Sequence, residues 1–294
     1  MSIVTFWNDE RDQTGKTLTA VSVATRMAIE RNYKILLIST CFQDPTIKNC
    51  FWVDDAQRTL KLFGVKNNNI AVENGIEGII KLISAKKLTP NVITDYTRVI
   101  FKDRLEIING YFGAKDVTRD TNFMEYEKIQ KYYSELIKVA SQYYDMVLVD
   151  LDKEIPEETR KEILEISNLN VYVMSQKKCS LDRYLERKQK IQKSENLKTL
   201  PVIGRYMNST KYNLKNISKY LQEKKGLNVI PYNTQLFEAA EEAGVPDLFL
   251  RLKNVKDTSD ENYIFMQDVL ELMEKIIKKL QELQMKMRWK NDTN

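Results

Sequence analysis

Residues 2–40 read SIVTFW (2–7), NDERDQTGKT (8–17), LTAVSVATRMAIERNY (18–33) and KILLIST (34–40). The apolar, β-branched runs 2–7 and 34–40 predict strands, and 18–31 carries apolar residues at helical spacing. A polar loop that ends in Gly-Lys-Thr joins the first strand to this helix. Because N–H groups at the start of a helix point at a bound anion, this order predicts a phosphate-binding loop in an α/β fold.

The tripeptide Gly15-Lys16-Thr17 has the right side chains for a nucleotide loop. Lys16 would place a point charge on the β- and γ-phosphates, and the Thr17 hydroxyl would ligate Mg²⁺. The usual loop has a glycine five positions before Gly15, and here that position is Glu10. Gly-Lys-Thr also occurs at ordinary helix starts. The preceding strand favours the nucleotide loop, although the altered position leaves the strength of binding open.

Composition limits the classes of protein to consider. The 294 residues are 43% hydrophobic and 30% charged, which is typical of one large α/β domain or two small ones. No run approaches the ~18 uninterrupted apolar residues of a membrane span, and no basic segment leads into an apolar run as in a secretory signal. The three cysteines have no spacing typical of a disulfide framework or zinc site, so we expect a cytoplasmic protein.

The chain contains no histidine, which excludes histidine general bases, histidine metal ligands and Ser-His-Asp chemistry. Its formal net charge of +5 permits binding to nucleic acid or an anionic membrane without requiring it.

A second signal lies at residues 145–152, which read DMVLVDLD. An apolar strand that ends in Asp150 would place a carboxylate beside the loop, where it can hold the Mg²⁺ shell. The other interpretation is a buried parallel strand followed by a polar turn. The combination with Gly-Lys-Thr favours the first interpretation for Asp150, while Asp152 remains ambiguous.

The rest of the chain alternates predicted strands and helices. A short helix is predicted over 91–99, an exposed loop over 111–122 and a helix over 124–143. The alternation continues to about residue 243 and predicts a mostly parallel sheet with helices on both faces. Ligands of such sheets bind outside the carboxyl ends of the strands, where the loop 8–17 and Asp150 would lie.

A long helix is predicted from about residue 260 to Trp289, with apolar residues three and four positions apart. We therefore divide the chain into a domain over 1–259 and an amphipathic helix over 260–294, whose first half packs on the domain. The last turns carry a narrower apolar stripe flanked by lysines. They could simply project from the fold, contact a partner helix or lie on a membrane surface.

With these segments placed, the chain resembles the ParA/MinD family of P-loop ATPases with a deviant Walker A loop, over nearly its whole length. Residues 11–17, RDQTGKT, align position for position with the family's Lys-Gly-Gly-x-Gly-Lys-Thr loop, with Arg11 at the signature lysine and Asp12 and Gln13 in place of the two glycines. Residues 144–150, YDMVLVD, resemble its YDxVxxD strand, and 230–233, IPYN, resemble its base-flanking segment. Asn208 matches an asparagine that the family uses at the adenine.

The resemblance implies a Rossmann-like P-loop fold that binds ATP and Mg²⁺. It implies the nucleotide-binding residues Thr14, Gly15, Lys16, Thr17, Leu18, Asn208, Pro231 and Asn233. It implies catalytic roles for Lys16, Arg11 and Asp150, and metal ligation by Thr17 and Asp150. Arg11 stands where a signature lysine reaches the other subunit's phosphates, so a homodimer is expected. Cys41 stands where the family has an acidic residue, and a thiol cannot orient water as a carboxylate does, so we expect slow or absent hydrolysis.

Two functions follow from this resemblance. The first is a positioning ATPase for partition of a plasmid, chromosome or mobile element. Such a protein would bind nonspecific DNA or a membrane surface and work with an adaptor or activator protein. The basic residues that could contact DNA are Arg183, Arg187, Lys188, Lys190, Lys211, Lys215, Lys219, Lys224 and Lys225. The alternative is a pseudo-ATPase scaffold for pilus or secretion assembly, of the TadZ/CpaE type.

Overall fold

The computed structural model describes residues 1–10, 13–53, 75–114, 116–190, 198–223 and 227–292. Arg11, Lys224 and Lys225 therefore lie outside the described residues. The strands are β1 Ser2–Trp7, β2 Ile35–Ser39, β3 Arg98–Phe101, β4 Leu105–Ile108, β5 Met146–Asp150, β6 Leu169–Met174, β7 Thr199–Tyr206 and β8 Asn228–Pro231. The α-helices are α1 Lys16–Glu30, α2 Thr46–Phe51, α3 Ile76–Ser84, α4 Arg119–Ile129, α5 Tyr133–Ala140, α6 Glu157–Ile166, α7 Lys178–Lys190, α8 Leu214–Tyr220, α9 Thr234–Glu241, α10 Val245–Leu252 and α11 Glu261–Asp292.

The strands form one sheet in the order β3-β4-β2-β5-β1-β6-β7-β8. Neighbouring strands are parallel, except that β3 is antiparallel to β4. Asp150 is in register with Phe6 of β1 on one side and with Ser39 of β2 on the other. The segments that leave β1, β2 and β5 therefore start at the same edge of the sheet. This mostly parallel architecture, flanked by helices, confirms the predicted fold class.

The alternation of side chains along β1 divides the core between the two faces of the sheet. Val4 and Phe6 belong to the apolar cluster that includes α1 and α11, whereas Ile3 and Trp7 belong to the cluster on the opposite face. All six residues of β1 are buried. A central strand that packs on both faces holds the following loop on a rigid base.

Three local predictions are wrong. Residues 91–99 form only a 3₁₀ turn at Val92–Tyr96, after which β3 begins. The predicted exposed loop over 111–122 already contains the start of α4 at Arg119. Within it, the amide of buried Asn122 forms hydrogen bonds with the backbone N–H and C=O of Ala114, so a side chain takes the place of the usual backbone partners. The predicted helix over 124–143 is broken by a 3₁₀ turn at Gln130–Tyr132. The short helices α2 and α10 were not predicted.

Helix α11 packs on the domain through its first half, where Phe265, Val269, Leu272 and Ile276 are fully buried. Leu280 is also buried, but Met285 is 63% exposed. The apolar stripe of α11 thus contacts the domain well beyond its midpoint. Within the described part of the chain, no helix is both long and apolar enough to cross a membrane.

Candidate functional site

The loop after β1 enters α1 through Gly15, which adopts the left-handed conformation with φ 79°. Glycine reaches this conformation without steric cost. No side chain caps the N-terminus of α1, so its first N–H groups have no capping partner within the described structure. Before the turn, the Asn8 amide donates to Thr14 Oγ1 at 2.6 Å, and both residues are buried. Gly15 and the hydrogen bond between Asn8 and Thr14 therefore place the first N–H groups of α1 near the carboxyl end of β1.

Lys16 and Thr17 converge on Asp150, as the sequence predicts for this pair of motifs. Lys16 Nζ donates to Asp150 Oδ1 and to the Leu151 carbonyl oxygen, each at 2.6 Å. Thr17 Oγ1 donates to Asp150 Oδ2 at 3.0 Å. Asp150 is fully buried, and the Lys16 side chain is 11% exposed. The two motifs, which lie more than a hundred positions apart, form one charged cluster.

The cluster keeps Lys16 charged. Burial lowers the pKa of Lys16, but the charge of Asp150, its hydrogen bond and smaller contributions together outweigh burial and leave the pKa above the usual value. An ammonium group at this place can exchange its carboxylate partner for a phosphate oxygen, because both are anionic oxygen acceptors.

Cys41 completes the cluster from the end of β2. Its Sγ donates to Asp150 Oδ2 at 3.6 Å. Burial and the charge of Asp150 raise the pKa of Cys41 well above its ordinary value. The residue is therefore a neutral thiol, which neither accepts a proton from water nor orients it as a carboxylate would.

A cavity of about 360 Å³ opens beside the loop, in the size range of small-ligand sites. The loop, the β2 turn and the segment after β5 line one part of it, and the segment after β8 with α9 lines the other. The predicted residues on its lining are Thr14, Gly15, Lys16, Thr17, Leu18, Pro231 and Asn233. β2 and β8 lie on opposite sides of β1 in the sheet, and the segment after β8 with α9 adds the aromatic residues Tyr232 and Phe237 to the lining.

The two predicted asparagines, Asn233 and Asn208, differ in their position relative to the cavity. Asn233 caps α9, with its Oδ1 accepting from the Leu236 N–H at 2.8 Å. Asn208 lies outside the described lining of the cavity, and its Oδ1 accepts from the Tyr206 hydroxyl at 2.9 Å. The structure thus brings Asn233 to the cavity but leaves Asn208 away from it.

Four carboxylates that the site prediction omitted also line the cavity: Glu10, Asp44, Asp152 and Glu241. Asp44 Oδ1 accepts from the backbone N–H of Thr46 at 2.8 Å, at the start of α2. Asp152 Oδ2 accepts from the Phe42 N–H at 3.1 Å. The sequence signal for Asp44 was the Asp-Pro-Thr run, because Asp is favoured at helix starts.

Arg205 is another lining residue that sequence reasoning missed. It has a positive φ of 50°, which is uncommon for a residue other than glycine. Its Nη1 donates to Gln13 Oε1 at 3.0 Å, and its guanidinium lies 5.7 Å from the centre of the Tyr232 ring. Its Cγ would come within 2.7 Å of a Cβ at Gly15. No motif marks this arginine in the sequence, because its importance arises from where β7 ends.

The residues present fit a magnesium nucleotide. Thr17 Oγ1 and Asp150 Oδ2 offer a hydroxyl and a carboxylate oxygen 3.0 Å apart. Mg²⁺ prefers such oxygens and usually completes its shell with water and substrate phosphates. Among the described residues no group of three or more His, Cys, Asp or Glu side chains could hold a metal, so an all-protein cage is absent from this part of the chain.

Neither a protein-family model nor a curated protein sequence matches the chain. Solved structures do match. A ParA family ATPase of Chlorobium tepidum TLS is 16% identical over 92% of this chain and 98% of its own, with a TM-score of 0.63. A Borrelia burgdorferi B31 protein assigned to plasmid partition, bound to AMPPNP, is 19% identical over 93% and 98%, with a TM-score of 0.58.

The septum site-determining protein MinD of Pyrococcus horikoshii OT3, complexed with Mg-ADP, is 17% identical over 95% of this chain and 98% of its own, with a TM-score of 0.59. At such identities the likeness concerns the fold, and it extends over nearly the full length of each protein. The resemblance drawn from the sequence motifs is confirmed at this level: the chain has the fold of the ParA and MinD ATPases.

Proposed function

We propose that this chain binds ATP with Mg²⁺ at the loop after β1 and acts as a nucleotide-dependent positioning protein, with slow or lost hydrolysis. The convergence of Lys16 and Thr17 on buried Asp150, beside a cavity of about 360 Å³, carries the proposal. Proteins of the same fold support it, since the Borrelia protein is bound to AMPPNP and the Pyrococcus MinD to Mg-ADP.

Each residue has a separate task in this proposal. Lys16 and the N-terminus of α1 hold the phosphates, while Thr17 and Asp150 hold Mg²⁺, directly or through water. Mg²⁺, when bound, neutralises charge on the phosphate oxygens. Pro231, Tyr232 and Phe237, which line the cavity, would give the base its apolar contacts.

Calorimetric titration of ATP with Mg²⁺ into wild type and Lys16→Ala tests the site. We expect micromolar binding by wild type and its loss in Lys16→Ala. Lys102→Ala, in the turn between β3 and β4, is the matched control and should bind as wild type does. Absence of binding by folded wild-type protein would contradict the proposal.

Dimerisation is part of the same proposal, with Arg11 acting across the interface on the partner's phosphates. Light scattering with and without AMPPNP should show a nucleotide-dependent dimer in wild type. Arg11→Ala should remain monomeric while still binding nucleotide. A monomer under all conditions would remove the interface from the proposal.

The setting we propose is partition of a plasmid or another replicating element in the cytoplasm, with an adaptor or activator protein. DNA is the favoured surface, although part of the basic set is paired within the protein: Arg187 lies 3.3 Å from Asp9, and Lys188 2.7 Å from Glu223. If DNA binds, its affinity should fall steeply with salt concentration. Absence of binding would exclude DNA as the surface, and salt-independent binding would exclude nonspecific contacts to its phosphates.

A membrane surface is the less favoured track. Leu280 of α11 is buried against the domain, and Leu283 packs partly on it, so these residues are not available to lipid. A lipid contact made by the end of α11 would therefore fall on residues 285–294. Their deletion should abolish binding to anionic vesicles and leave the thermal unfolding temperature nearly unchanged.

A pseudo-ATPase scaffold for pilus or secretion assembly remains the second candidate, and Cys41 favours it. This buried thiol faces Asp150 where an acid would assist hydrolysis. Nucleotide binding without measurable turnover, even with the cellular partners added, would favour the scaffold over the switch.

A further inference from the structure

Two carboxylates stand at the entrance of the loop. Asp9 and Glu10 follow β1 by two and three positions, and Glu10 lines the cavity although it is only 1% exposed. Negative charge beside a polyphosphate site opposes binding, and the effect grows where water is excluded. A loop that contains both residues therefore needs a source of positive charge nearby.

Asp9 is held by two elements on one face of the sheet. The Tyr172 hydroxyl of β6 donates to Asp9 Oδ1 at 2.6 Å. Arg187 of α7 donates from Nη1 to Asp9 Oδ2 at 3.3 Å, and its guanidinium lies over the Trp7 ring at 4.1 Å. The Trp7 ring and Asp9 therefore both hold the guanidinium of Arg187 beside the start of the loop.

Glu10 is held by the first turn of the same helix. The Ser180 hydroxyl forms a hydrogen bond with Glu10 Oε1, and Ser180 Oγ accepts from the Ser175 N–H at 3.0 Å. Arg183 Nη1 lies 4.0 Å from Glu10 Oε2. Since Ser180 is the third residue of α7, the positive end of the helix dipole also faces this carboxylate.

We propose that α7 supplies the countercharge of the loop and thereby sets its affinity for a nucleoside polyphosphate. Arg187 is the main positioning residue, and Arg183, Ser180 and Tyr172 support it; none of them contacts the ligand in this scheme. The inference rests on the proposed nucleotide site. The two arginines of α7, which otherwise suggest a DNA-binding helix, would then have a role inside the protein.

A double-mutant cycle tests the charge compensation. ATP affinity is measured by calorimetry with Mg²⁺ at one ionic strength for wild type, Asp9→Asn, Arg187→Gln and the double variant. Arg187→Gln should weaken binding by about tenfold, because it leaves the charge of Asp9 uncompensated in a loop that binds an anion. Asp9→Asn should bind as well as wild type or better, and it should restore affinity in the double variant.

Two controls separate charge from folding. Arg187→Lys keeps the charge and should retain most of the affinity, whereas Lys190→Gln removes a charge from the exposed end of the same helix and should have little effect. Thermal unfolding of every variant identifies any loss that comes from misfolding. If Arg187→Gln does not fold, ATP affinity is compared among Arg187→Lys, Asp9→Asn and Glu10→Gln instead. Arg187→Lys should retain most of the wild-type affinity, and the two variants that lose a carboxylate should bind as well as wild type or better.

The outcomes also separate this inference from the proposed function. Wild-type binding that Arg187→Gln leaves unchanged, or a double variant as weak as Arg187→Gln, would overturn the role of α7 alone. If wild type does not bind ATP but Asp9→Asn or Glu10→Gln does, the proposed function of the natural chain is wrong. The opposing effect of these carboxylates on binding is then supported. No binding by any folded variant would overturn both.

Discussion

Gly204 of β7 lies against the backbone of Thr14, so closely that a Cβ at position 204 would collide with the Thr14 carbonyl oxygen. The contact joins the end of β7 to the residue just before the left-handed turn at Gly15. Arg205, the next residue, lies over Gly15 itself. The loop is therefore shaped by a strand that lies two positions away from β1 in the sheet.

Gly204→Ala is expected to displace the loop and weaken ATP binding by at least about tenfold, with a loss of unfolding free energy of about 1–3 kcal/mol from overpacking. The measurement is calorimetry together with urea denaturation. Gly244→Ala is the matched control, because a Cβ there meets Ala239 only at an ordinary 3.5 Å. Equal behaviour of the two variants would contradict the contact.

The pair Lys16–Asp150 should matter for stability even without ligand. Asp150→Ala leaves a largely buried ammonium without its carboxylate, and we expect it to lower the free energy of unfolding by about 3–5 kcal/mol. The double change Lys16→Met and Asp150→Leu removes both charges and should recover much of that loss. Urea denaturation checks this, and a double variant less stable than Asp150→Ala would contradict it.

Cys41→Asp is expected to raise the rate of ATP hydrolysis by at least about tenfold, because a carboxylate can orient water and accept its proton. Phosphate release under single-turnover conditions measures the change. Cys41→Ser keeps a small neutral group and should hydrolyse no faster than wild type. A Cys41→Asp protein that binds ATP without faster turnover would place the cause of slow hydrolysis elsewhere.

Asp268 on α11 makes stability depend on pH. Burial, followed by the charge of Glu271, raises the pKa of Asp268 from 3.8 to about 6. The native state thus holds this proton more tightly than the unfolded chain, and the unfolding free energy should fall as pH rises from about 4 through 6. Asp268→Asn should remove this slope and add about 1 kcal/mol at pH 7, after allowance for partial exposure.

Urea denaturation of wild type and Asp268→Asn between about pH 4.5 and 7.5, a range that extends about 1.5 units on each side of the pKa, checks this prediction. Glu271→Gln should reduce the slope without abolishing it, because burial is the larger cause. An identical pH dependence in wild type and Asp268→Asn would contradict the assignment.

Local patterns sufficed for the central strands and for the convergence of Lys16 and Thr17 on Asp150. β-branched runs, helical spacing and a terminal aspartate each act within a few residues, and parallel strands bring their carboxyl ends to one edge. The same reasoning failed over 111–122, where buried Asn122 bonds to Ala114 and gives a polar segment a fixed structure. Composition alone cannot distinguish such a segment from a solvated loop.

The sequence by itself determined the α/β class and the placement of the loop 8–17 and Asp150 at the same edge of the sheet. These features depend on short-range spacing and on the geometry common to parallel sheets. Only the tertiary structure decided that Asn208 lies outside the described cavity lining, that Arg205 covers Gly15, and that Asp9 and Glu10 meet the arginines of α7. These contacts join residues more than a hundred and fifty positions apart. Their partners are chosen by strand order and helix orientation, which no local pattern encodes.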